Sequence, residues 1–61
     1  MQSLPIKDGV IDVVFSPDEN IYYLQRYQFG PKTCDVSIRS WPSAQEAVAA
    51  MKAGRVRWKK D

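Results

Sequence analysis

"TCDVSIRSWPSAQEAVAAMKAG", residues 33–54, changes its period partway along, and that change decides the fold. In residues 33–41, Cys34, Val36 and Ile38 alternate with Asp35, Ser37 and Arg39, the pattern of an antiparallel strand with one wet face. After Pro42 the spacing becomes helical, with Ala44, Ala47, Val48 and Met51 at i, i+3, i+4 and i+7. Ser43 followed three residues later by Glu46 forms a capping box at the helix start. Lys52 in the last turn and Gly54 just beyond it are C-terminal signals. The spacing therefore predicts a strand over 33–41 joined directly to a helix over about 44–53.

Working outward, "GVIDVVF" (9–15) and "IYYLQRYQF" (21–29) are rich in β-branched and aromatic residues and read as two further strands. "SPDEN" (16–20) and "GPK" (30–32) supply the turns between them. Residues 1–8, containing Pro5, read as an irregular lead-in. "GRVRWKK" (54–60) alternates Val56 and Trp58 with cations and reads as a closing strand. The order is β-β-β-α-β, a single small α+β domain over residues 1–61 with a helix packed on one face of an antiparallel sheet. The expected core is Val13, Phe15, Tyr23, Tyr27, Val36, Ile38, Val48, Met51 and Trp58, with Trp41 at the helix entrance. A one-residue slip in register would exchange the two faces of the first two strands.

The chain has 61 residues, and one this short buries only about 60% of the surface it exposes when unfolded. Cys34 is the single cysteine and histidine is absent, so neither an intrachain disulfide framework nor a Cys/His zinc site has its residues. One cysteine also suits a reducing compartment. No basic start precedes a long apolar run, and "AVAAM" falls far short of the roughly 20 residues of a membrane span. A cytoplasmic protein is the expectation, and the initial Met suggests a complete short reading frame.

The composition argues against catalysis. Without histidine there is no His-based triad and no ordinary proton shuttle near neutral pH. Cys34 lacks a histidine base, and its place in an alternating strand reads as a small hydrophobe. Asp18 and Glu19 are adjacent acids in a turn, and Gly9, Gly30 and Gly54 are scattered at element boundaries rather than gathered into a phosphate loop. The expectation is a non-enzyme with no cofactor and no metal.

Charge and aromatic content point instead to a binding surface. The net charge of +2 conceals an acidic first third and a basic end, with five cations and no acid from Lys52 to Lys60. One helix covers only one face of a sheet, so aromatic side chains must stay uncovered on the other unless the lead-in folds over it. Tyr22 and Arg26 are assigned to that wet face together with Arg39, Arg55, Arg57, Lys59 and Lys60. Tyrosine and arginine are enriched at binding hot spots. A protein with an acidic, apolar surface is the first partner expected, and a second copy of the chain is another candidate. Nucleic acid is the alternative, its bases stacking on rings while its backbone follows the cations.

"YYLQRY" (22–27) followed by "VSIRSWPSAQEAVAAM" (36–51) resembles the arm-type DNA-binding domains of phage integrases over about residues 20–53, chiefly through "WPSAQEA". That resemblance implies three strands, a capped helix and DNA binding. The chain departs from it in its nearly neutral second hairpin, "GPKTCDVSIRS", and in the extra closing strand. From its compactness and lack of catalytic groups, the expected role is a binding protein, an inhibitor or adaptor of phage or mobile-element type.

Overall fold

The computed structural model describes residues 2–60. Five strands form one antiparallel sheet in chain order: β1 (Gln2–Ile6), β2 (Gly9–Ser16), β3 (Ile21–Gln28), β4 (Thr33–Ser37) and β5 (Trp58–Lys60). The helix α1 (Ala44–Lys52) lies between β4 and β5 in sequence. The α+β class stands, with four strands rather than three before the helix. Residues 2–6 are not an irregular lead-in. Leu4 and Ile6 share a face, Lys7 and Asp8 make a two-residue turn, and β1 pairs with β2 from Gln2↔Val13 to Ile6↔Gly9. Pro5 is tolerated because β1 is an edge strand, where a missing N–H breaks no ladder.

Loop length sets which side chains share a face. Four residues separate β2 from β3 and four separate β3 from β4, so odd residues of β2 lie beside even residues of β3 and odd residues of β4. Asn20 and Lys32 end these two loops with φ of 55° and 54°, in the left-handed region. Ile11, Val13 and Leu24 therefore lie together beneath the helix, where they form the buried core with Ala47. Leu24 and Ala47 are both 0% exposed, since alanine lets the helix approach the sheet closely. Val48, Met51, Trp41, Val56 and Trp58 pack around them.

The same parity corrects part of the expected core. Tyr23, Tyr27 and Val36 lie on the opposite face of the sheet, and Tyr27 is 41% exposed. Phe15 is on the helix side but 45% exposed, its ring 5.0 Å from that of Tyr22 at the margin of the core. Ile38, 58% exposed, follows Cys34 and Val36 onto the open face, just past the end of β4, which stops at Ser37 instead of continuing to residue 41.

The stop has a clear cause. The Leu24 N–H donates to Ser37 Oγ at 3.0 Å, and that hydroxyl donates to the Arg39 carbonyl at 2.7 Å. A side chain has taken a ladder position, and the Ile38 N–H turns to the Arg57 carbonyl at 2.9 Å. The chain rejoins β3 only at Trp41, which exchanges two backbone bonds of 2.8 Å with Tyr22. Ser37→Ala should leave the buried Leu24 N–H without this partner. It is expected to cost about 1–3 kcal/mol, measurable by urea denaturation.

The helix ends as its sequence signals. Ser43 Oγ accepts the Glu46 N–H at 3.2 Å. At the other end Gly54, at φ 70°, donates to Met51 and Arg55 donates to Ala50, the paired bonds of a Schellman motif. The closing strand is shorter than the stretch 54–60, because residues 55–57 lead from this cap back to the sheet edge.

Candidate functional site

Arg26 and Tyr22 do not lie on the uncovered face. Even positions of β3 point toward the helix, so Arg26 stands directly opposite Asp35, with Nη2 2.8 Å from the Asp35 carboxylate. Its guanidinium lies 4.7 Å from the centroid of the Trp58 ring, a cation–π arrangement. Its Nε is buried with no hydrogen-bond partner. Asp35 is thus no solvated outer-face acid. It neutralises Arg26 at the open end of the core, beside a depression of about 340 Å³ lined by Ile6, Met51, Val56 and Trp58. Lys60 is opposite Asp35 on β5. Tyr22 is half-buried, held by Phe15 and by the bridge to Trp41.

The other cations are exposed but divided. Arg39 and Arg55 border a depression of about 390 Å³ floored by Trp41 and the small helix residues Ala49, Ala50 and Ala53. Lys59 belongs to the sheet face away from the helix, near Tyr23, Val36 and Ile38. Arg57 is exposed in the segment before β5, its carbonyl engaged with Ile38. The seven expected residues are therefore dispersed over both sides and the margins of the sheet rather than gathered on one continuous surface, and only Arg39 borders both the Arg55 depression and the face that carries Lys59.

The face without a helix is the larger feature. Val10, Val14, Ile21, Tyr23, Tyr27 and Val36 lie on it, and no helix packs on them. Phe29, 58% exposed, continues it with its ring 5.7 Å from that of Tyr27. Gln25 Nε2 donates to Cys34 Sγ at 3.2 Å within the face, so Cys34 lies there and not in the core. The sequence carries the signal for this face, because both sides of β2 and β3 are apolar while only one helix exists to cover them. Alternation alone could not say which side the helix takes.

Among the described residues no helix is long and apolar enough to cross a membrane. No protein-family model, curated protein or solved structure matches the chain, which leaves these side chains and their placement as the ground for any function.

Proposed function

We propose that the chain is a non-enzymatic binding protein that engages another protein through the open face of its sheet. The observation that carries this reading is a sheet face, uncovered among the described residues, on which Val10 and Tyr27 on one side and Val14 and Tyr23 on the other flank a polar row of Asp12 and Gln25. Exposed apolar side chains gathered on one face beside polar groups mark interaction sites. Rigid tyrosines on a sheet contribute contact area at low entropic cost. Lys59 and Arg39 at the rim suit a partner that is apolar at its centre and carries acid beside it. An inhibitor or adaptor role fits a chain that offers a surface rather than a reactive group.

The test is affinity capture with the intact chain, comparing wild type with Tyr23→Lys and Arg57→Ala. A protein retained by wild type and by Arg57→Ala but lost with Tyr23→Lys is the expected result. Capture that ignores Tyr23 and follows Arg57 would overturn the reading.

A nucleic-acid surface is the second reading, favoured by the depression in which Arg39 and Arg55 flank Trp41. A base stacked on an aromatic contributes about 1–3 kcal/mol, and each phosphate contact contributes about −0.7 to −0.9 to the slope of log K against log salt. If Arg39 and Arg55 both contact phosphate, their replacement by alanine makes the slope shallower by about 1.4–1.8. Absence of binding to single- or double-stranded DNA and RNA at low salt, with tens of micromolar protein, removes this reading.

A further inference from the structure

We propose that the partner of the open face is a second copy of the chain, packed sheet on sheet about a two-fold axis parallel to the strands. This rests on the assignment of the open face as the binding surface and adds the occupant and its orientation.

The cross-strand register supplies the orientation. Ser3, Asp12, Gln25, Val36 and Lys59 form one row across the open face, from β1 to β5. The acid sits on β2, one strand in from the β1 end, where it accepts the Ser3 hydroxyl at 2.6 Å, and the cation sits at the β5 end, with apolar rows on either side. A two-fold axis parallel to the strands lays the row over its own reverse. It lays Asp12 of one copy over Val36 of the other, one strand away from that copy's Lys59, twice per dimer. An axis across the strands that keeps the rows aligned puts Asp12 over Asp12 and Lys59 over Lys59. Charge complementarity therefore selects the first arrangement; both keep the strand directions of the two sheets aligned.

The edges argue for the face over lateral pairing. β1 carries Pro5, and β5 is three residues long with two lysines, both devices that block strand addition. The area is modest. The strands contribute 29 residues, from lengths of 5, 8, 8, 5 and 3. At about 4.8 Å by 3.4 Å each, they give a face of about 500 Å² in outline. Side-chain relief raises the accessible area toward the roughly 600 Å² per partner at which stable interfaces begin. A dissociation constant in the micromolar range is the matching expectation.

Sedimentation velocity of the intact chain from about 5 to 500 µM tests this, with circular dichroism confirming that each variant is folded. Wild type should pass from monomer to dimer across that range, and Tyr23→Lys should remain monomeric. Asp12→Lys alone and Lys59→Asp alone should each weaken the dimer about tenfold. The double variant D12K/K59D should restore it, and so should an equimolar mixture of the two single variants, because positions 12 and 59 of facing copies again carry opposite charges. A wild-type chain monomeric at 500 µM overturns the inference, yet leaves the binding reading standing if Tyr23-dependent capture of a different protein is seen. A dimer indifferent to Tyr23 overturns the face assignment, and one that responds to Tyr23 but not to the charge exchange overturns the two-fold orientation.

Discussion

Leu24→Ala should cost about 2–5 kcal/mol and leave much of the chain unfolded in water at 25 °C. Leu24 is fully enclosed, on the central strand, between Val13 beside it and the helix above. A chain of 61 residues at about 0.05–0.15 kcal/mol per residue has only about 3–9 kcal/mol in total. Truncating one leucine thus removes a large part of the margin, and the rigid sheet beneath it cannot collapse to refill the space. Tyr27→Ala is the informative comparison. Tyr27 is larger but lies on the open face at 41% exposure, so its loss should cost no more than about 1 kcal/mol, the scale of a cross-strand pair. Urea denaturation followed by tryptophan fluorescence measures both. It should be run at low micromolar protein, so that any self-association contributes little to apparent stability. If Tyr27→Ala proved the more damaging substitution, the assignment of the two sheet faces would be reversed.

That comparison also marks where the sequence stops being informative. The helix was legible in full because its signals are local: Ser43, Glu46, the stripe through Val48 and Met51, and Gly54 all lie within twelve residues. The choice of inward face is not local. It depends on the parity of the two four-residue loops, and "SPDEN" and "GPK" announce turns without fixing how many residues stay unpaired. Taking Val13 and Tyr23 together as core mixed the odd faces of two strands that pair odd with even. β1 was obscured by Pro5, which excludes a central strand but not an edge. Arg26 read as a surface cation because nothing in "YYLQRY" reveals that Asp35 and Trp58 meet it. The early end of β4 depends on one hydroxyl, and a serine in alternation looks like any other wet-face residue. The existence of an uncovered apolar face, by contrast, followed from counting apolar sides against a single helix, and the fold bears that out.

Gly9→Ala should destabilise the chain by about 2–4 kcal/mol, combining overpacking with disturbed backbone bonds. Gly9 opens β2, pairing with Ile6 on one side and Gln28 on the other. A Cβ at this position would overlap the Tyr27 carbonyl oxygen and come within 3.0 Å of its carbon and 3.1 Å of Gln28 Cα. Those are main-chain atoms of the central strand, and no rotamer change can move them aside. Relief requires β2 and β3 to separate where the Phe29 N–H donates to the Asp8 carbonyl at 2.9 Å, the bond that ties the first turn to the end of β3. Gly30→Ala provides the control, since a Cβ there meets nothing within 4 Å and its φ lies outside the left-handed region. That change should stay within about 0.5 kcal/mol of wild type or stabilise slightly by restricting the unfolded chain. For a domain of this size each kcal/mol moves Tm by about 4–8 °C, so thermal scans should separate the two variants by at least about 6 °C. Equal melting temperatures would mean that β2 and β3 do not approach as closely at Gly9 as their pairing requires.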